Sequence, residues 1–144
     1  REEVPEKEYI IPIGKAKILQ EGNDITIISY GAIIHKVKEA VDKINDVSCE
    51  IIDLRTISPL DEETIIESVK KTGRALIVHE APRMFGAGAE ISALINENAL
   101  LNLEAPIERV TGYDVVVPLP KLEDYHIPSV DRIINGIKKV INFS

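Results

Sequence analysis

Three short stretches are apolar on both faces of an extended chain: Ile25-Thr26-Ile27-Ile28-Ser29-Tyr30, Ile51-Ile52-Asp53-Leu54 and Ala75-Leu76-Ile77-Val78. A strand that faces water on one side alternates apolar with polar residues, whereas these need cover above and below. Between them lie segments of helical period. Ala32 to Ile44 carries Ile33, Val37, Ala40, Val41 and Ile44 on one face. Asp61 opens a second helix through about Lys71, with Glu62, Glu63 and Glu67 near its positive end, Lys70 and Lys71 near its negative end, and Gly73 as its cap. Gly86 to Leu100 gives a third after a glycine-rich entry. Ile107 to Val110 reads as a fourth, short strand, a proline-punctuated loop follows from Gly112 to about Ile127, and Pro128 starts a last amphipathic helix. Strands alternating with helices predict an α/β three-layer sandwich around a mostly parallel sheet. Residues 15–20 and 25–30 flank the turn-rich Glu21-Gly22-Asn23-Asp24, which predicts an N-terminal hairpin supplying one antiparallel strand.

Residues 1–14 hold Pro5, Pro12 and Gly14 and read as a linker or arm from a missing preceding domain, with the α/β domain over 15–144. The length fits one domain. A formal net charge of −7 disfavours nucleic acid and anionic lipid and permits a basic protein partner. Cys49 is the only cysteine, so no intrachain disulfide forms, and its apolar setting predicts a buried, inert thiol. No run of 18 apolar residues suggests a membrane span. A cytoplasm-like compartment is the default expectation, or the mitochondrial matrix if a targeting segment has been lost.

Candidate chemistry is sparse. Gly86-Ala87-Gly88 opens a helix whose N-terminus could hold phosphate, but the third glycine of a dinucleotide fingerprint is absent, which favours close packing of helix on strand. His79, Glu80 and Arg83 stand at the carboxyl end of a strand, where α/β proteins place ligands. No nucleophile or metal-ligand spacing accompanies them, which favours an interface or packing role over catalysis. Ser29-Tyr30-Gly31 reads as a glycine-terminated strand. Glu104, Glu108, Asp114, Glu123 and Asp124 cluster around the last strand and the long loop, either as an acidic docking patch or as a solvated face.

Several ordered strings resemble one family. Asp53-Leu54-Arg55-Thr56-Ile57-Ser58-Pro59-Leu60-Asp61, Lys70-Lys71-Thr72-Gly73-Arg74, His79-Glu80-Ala81-Pro82-Arg83, Leu101-Asn102-Leu103-Glu104-Ala105-Pro106-Ile107 and Arg109-Val110-Thr111-Gly112-Tyr113-Asp114 are similar to the C-terminal, transketolase-type domain of 2-oxoacid dehydrogenase beta subunits. Val4-Pro5 and Ile11-Pro12-Ile13-Gly14-Lys15-Ala16 look like that family's connection from its preceding domain. Two departures stand out. Val116 occupies a position where the family often has proline, and Met84 and Phe85 replace a frequent Thr-Gly.

The resemblance implies an enzyme that decarboxylates a 2-oxoacid with thiamine diphosphate and Mg2+ and passes the acyl group to lipoamide. It implies that the C-terminal domain assembles subunits and is not catalytic alone. The implied partners are a second beta subunit, an alpha subunit and the lipoyl acyltransferase core with its small basic binding domain. No catalytic, cofactor-binding or metal residue is assigned to this chain. The expected subunit interface is His79, Glu80, Arg83, Met84, Phe85, Gly86, Gly88 and Glu90, and the expected docking site is Glu104, Glu108, Phe143 and Ser144. The substrate reads as a branched-chain 2-oxoacid or pyruvate. Two rivals stand beside this: another transketolase-superfamily enzyme, and a free-standing small-ligand-binding α/β domain.

Overall fold

All five positions of β2 (Ile25–Ser29) are buried, and a strand with no exposed face or edge needs neighbours on both sides and layers above and below. The computed structural model, which describes residues 6, 8–118 and 121–143, supplies all four. β2 pairs in parallel with β3 (Cys49–Asp53) on one side and with β4 (Ala75–Pro82) on the other. β5 (Glu108–Gly112) continues in parallel beyond β4, and β1 (Lys17–Gln20) closes the other edge antiparallel, giving the order β1-β3-β2-β4-β5.

The helices divide between the two faces. After a 3-10 turn at Gly31–Ile33, α1 (Ile34–Asp42) packs against α5 (Val130–Ile141) on one face. Val37, Ala40, Ile133 and Ile137 meet Ile25, Ile27, Ile51 and Leu76 there. On the other face α2 (Glu62–Thr72) and α3 (Ala87–Ala99) cover Ile28, Ile52, Ala75 and Ile77 with Ile65, Val69, Ile91 and Ile95. The α/β sandwich with one antiparallel strand is thus borne out.

The hairpin is not. β1 is the antiparallel strand, but it pairs with β3 rather than with β2. The Glu21–Asp24 connection passes across the amino end of β3. The amides of Asn23 and Asp24 donate to the Ser48 carbonyl at 3.1 and 2.9 Å, and the Ser48 amide donates back to the Asp24 carboxylate at 2.7 Å. Gly22 permits the crossing, because a Cβ there would stand 2.2 Å from the carbonyl carbon of Cys49. A β2 placed beside β1 would give up one of its two parallel partners, and β1, mostly exposed, suits an edge.

Local signals at the helix ends hold. Asp61 caps α2 through the Thr64 amide and hydroxyl, at 3.4 and 2.9 Å, and Gly73 ends it in the left-handed conformation at φ 68°. Ser129 caps α5 by accepting from the Arg132 amide at 3.2 Å. The long loop after β5 contains one further turn of helix, α4 (Glu123–His126). Residues 8–13 carry neither helix nor strand, while Pro5, part of the expected arm, and Pro120 and Ser144 lie outside the described residues.

Candidate functional site

Parallel strands send all their carboxyl ends to one pole of the domain. His79 lies near that pole on β4 and is fully buried. Its Nδ1–H donates to the Ala81 carbonyl at 3.1 Å, and its ring stacks on Tyr30 with centroids 5.9 Å apart. Burial holds the imidazole pKa below its ordinary value, and the nearby Arg109 guanidinium pushes the same way against the Ala81 bond. The ring is therefore neutral near pH 7, with a buried Nε2 that has no hydrogen-bond partner. That atom points at α3. A Cβ on Gly88 would stand 2.4 Å from Nε2, and one on Gly86 2.9 Å from Cε1. The close approach that the glycines allow is thus made inside the chain, around His79.

The rest of the expected interface segment separates by exposure. Glu80 and Glu90 are exposed. The Arg83 guanidinium turns onto β5, donating to the Arg109 carbonyl at 2.8 Å. Met84 and Phe85 form the outer tip. Phe85 is 97% exposed and has a positive φ of 56°, a region that non-glycine residues other than Asn and Asp rarely enter. A strained, solvent-facing phenyl ring does nothing for the isolated fold. The Met84 amide is held by the Asp114 carboxylate at 2.8 Å, which ties this tip to the loop after β5.

That loop carries exposed apolar residues that no sequence expectation covered: Tyr113, Val115, Val116, Val117, Leu122 and Tyr125. Most of them line a cleft of about 280 Å3 above His126. The available signal was Val115-Val116-Val117, a β-branched run placed in a loop with no strand beside it.

The acidic residues do not form one cluster. Glu104 and Glu108 precede or begin β5, whereas Asp114, Glu123 and Asp124 follow it, roughly 17 Å away along a five-residue strand. At the amino pole, Leu100, Leu103, Glu104, Pro106 and Phe143 line a groove of about 480 Å3. Glu108 and Phe143 share a smaller adjoining recess of about 210 Å3. Both carboxylates are already engaged within the chain, Glu104 with Arg74 at 2.7 Å and Glu108 with Lys139 at 2.6 Å. Leu101, 99% exposed, stands near this groove. Two apolar surfaces therefore sit at opposite poles of the sheet.

Elsewhere the expectations of inertness hold locally. Burial raises the Cys49 thiol to about 11, so it stays protonated at neutral pH. Gly31 has φ 73°, and a Cβ there would meet no atom within 4 Å, which suits a strand-terminating turn.

The family model described as the transketolase C-terminal domain matches residues 14–133. The chain is 47% identical over 142 residues to the pyruvate dehydrogenase E1 component subunit beta of Acholeplasma laidlawii, covering 97% of this chain and 43% of that protein. It is 52% identical over 143 residues to the mitochondrial 2-oxoisovalerate dehydrogenase subunit beta of Dictyostelium discoideum, covering 97% of this chain and 38% of that protein. The chain spans about two fifths of the length of these relatives. Among solved structures, a split-gene transketolase described as an inactive beta4 tetramer superposes with a TM-score of 0.79 at 23% identity, over 97% of this chain and 45% of that one.

Proposed function

Because the chain belongs to the transketolase C-terminal domain family, we propose that it is the subunit-assembly domain of the beta subunit of a 2-oxoacid dehydrogenase. The observation that carries this reading is identity of 47–52% along nearly the whole chain to beta subunits of two such enzymes. The reaction of the whole enzyme is then oxidative decarboxylation of a branched-chain 2-oxoacid or pyruvate, with acyl transfer to lipoamide. Thiamine diphosphate and Mg2+ would serve the whole enzyme. Among the described residues no three His, Cys, Asp or Glu side chains converge on a point that could hold a metal ion. The domain spans residues 15–144, with 1–14 as the connection. No described helix is long and apolar enough to cross a membrane. The compartment proposed is the cytoplasm, or the mitochondrial matrix.

The carboxyl pole, with Met84 and Phe85 at its tip, is proposed to meet a second beta subunit, and the alpha subunit completes the assembly. Phe85→Asp tests this. Aspartate tolerates positive φ better than phenylalanine, so the fold of the monomer should be unharmed or slightly steadier. Losing an apolar anchor should cost about 2 kcal/mol of association, roughly thirtyfold in the dimer constant. Sedimentation of the intact beta subunit across a dilution series reads this, and an unchanged constant overturns the assignment.

The amino-pole groove is proposed to seat the core's basic binding domain through Glu104, Glu108 and Phe143, while the expected Ser144 lies outside the described residues. Both carboxylates are paired, so they act by steering more than by desolvated contact. Changing both to glutamine avoids setting new cations against Arg74 and Lys139. Association with the basic domain should slow about tenfold at low salt, and the difference should fade as salt rises. Equal association rates at low salt, measured by surface plasmon resonance, would refute docking here.

A further inference from the structure

The last strand of a sheet leaves a row of carbonyls open, and proteins close such edges with charged side chains. β5 is that strand here. Two of its carbonyls, two residues apart, are closed by guanidinium groups. Arg83 donates from Nη1 to the Arg109 carbonyl at 2.8 Å, and Arg132 donates from Nη2 to the Thr111 carbonyl at 2.7 Å. Arg109 returns the first contact, donating from its own Nη1 to the Arg83 carbonyl at 3.2 Å. The Arg132 guanidinium carbon also sits 4.6 Å from the centre of the Tyr113 ring. A guanidinium has five N–H donors, and each of these arginines commits one nitrogen to a backbone carbonyl. The groups are held in place with most of their donors unspent.

They meet around one cleft of about 330 Å3, bounded by β5 and α5 and lined by Arg83, Arg109, Arg132, Asn135 and Lys139. Its base is tight, since a Cβ on Gly136 would stand 2.8 Å from Val110 Cγ2. The one carboxylate in its lining, Glu108, is spent on Lys139 at 2.6 Å. Among the described residues, the ion pairs of this chain include none made by Arg83, Arg109 or Arg132. In a chain with 17 basic and 24 acidic residues, three arginines without a carboxylate partner gather at one cleft beside a lysine, and the Arg132 Nη1 is buried there with no hydrogen-bond partner. Closing the edge explains one N–H from each of two arginines, and a neutral donor such as glutamine would serve as well. It does not explain the accumulated charge.

We propose that this cleft is a binding site for a small phosphate-class dianion, held by Arg83, Arg109 and Arg132 with Lys139 at its margin. Forked guanidinium donors suit tetrahedral oxygens, and the volume suits a phosphoryl group with a small substituent. The site does not depend on the assembly reading, because every group in it belongs to this chain and the cleft is present in the monomer.

The test is a titration of the chain with inorganic phosphate at pH 7.5, followed by amide NMR, against sodium chloride at equal ionic strength. Phosphate should shift the Arg109, Val110 and Gly136 signals along one saturable curve that chloride does not reproduce. Arg83→Gln alters an exposed side chain, and it should weaken phosphate about tenfold through loss of a charge-assisted contact. Glu108→Gln removes the local negative charge and should tighten binding. Arg132→Lys would lose its Thr111 and Tyr113 contacts together, so it is set aside as a fold risk, and melting curves confirm that the other two variants stay folded. Identical shifts with chloride, or an Arg83→Gln chain that binds phosphate like the parent, would overturn the proposal.

Discussion

Gly22→Ala should lower the stability of this chain by about 3 kcal/mol, at the upper end of what overpacking costs, and its melting temperature by roughly 6–12 °C for a domain of this size. The added carbon would stand 2.2 Å from the Cys49 carbonyl carbon and 2.3 Å from the Glu50 nitrogen. Both are backbone atoms of a central strand, so no side-chain rotation relieves the overlap. Nor can the connection lift away easily, since Asn23 and Asp24 are bonded to Ser48 on one side and the Gly22 amide lies 3.4 Å from the Glu50 carboxylate on the other. Gly31→Ala is the matched comparison. It has open space around it and only a φ of 73° against it, so its cost should be about 1 kcal/mol, the penalty of a left-handed alanine. Thermal and urea unfolding of both variants measures the difference. Equal losses would mean that the Gly22 crossing is looser than its geometry.

The same crossing marks where the sequence stopped being informative. The interior strands were legible because burial on both faces leaves a plain record, short segments rich in isoleucine, leucine and valine in β2, β3 and β4. Helix α2 was legible at both ends because Asp61 and Gly73 each have a local job that a window of a few residues displays. Which strand lies beside β1 is a different kind of fact. Glu21-Gly22-Asn23-Asp24 carries the residues of a tight turn, and the partner that makes it a crossing instead, Ser48 and Cys49, lies more than twenty residues away. Gly86 and Gly88 posed the same difficulty at the candidate site. Their composition announced a close approach without saying to what, and the answer is the His79 ring on the preceding strand. The acidic residues misled for a simpler reason. Neighbours in sequence across a strand are far apart in space, so Glu104 and Asp114 serve opposite poles. Nothing in a charge count foretold the arginine cleft, whose members come from the end of β4, the edge strand and α5.

Lys71→Met should cost about 2 kcal/mol at pH 7, and the loss should shrink as the solution is acidified. Glu50 is the reason. It lies near the amino end of β3, the strand next to the edge, with a side chain 1% exposed, and it accepts from Ser68 and Lys71. Ser68 in turn shares a bonded chain with Thr26 and through it Thr72, at 2.7 and 2.8 Å. Burial alone would raise the Glu50 pKa, but the bonds from Lys71, Ser68 and their neighbours outweigh it, and the net shift is downward. A carboxylate whose folded pKa is depressed adds stability above its unfolded pKa near 4.5, and that stability is lost as pH falls through the folded value. Removing one partner of a buried pair commonly costs 3–5 kcal/mol. The Lys71 side chain is 39% exposed, so water screens part of the interaction and the smaller figure of about 2 kcal/mol is expected. In the variant the lowering bond from Lys71 is lost while the burial stays, so the folded pKa of Glu50 should rise relative to the parent. Protonation of Glu50 then costs the folded variant less than it costs the parent. The two stabilities should therefore converge between pH 7 and pH 4. Replacing both groups, Glu50→Leu with Lys71→Met, should recover part of the loss at pH 7, because no buried charge is left alone. Urea titrations at pH 7, 5.5 and 4 read all three chains, and a gap between parent and Lys71→Met that stays constant with pH would show that Glu50 is not the group Lys71 supports.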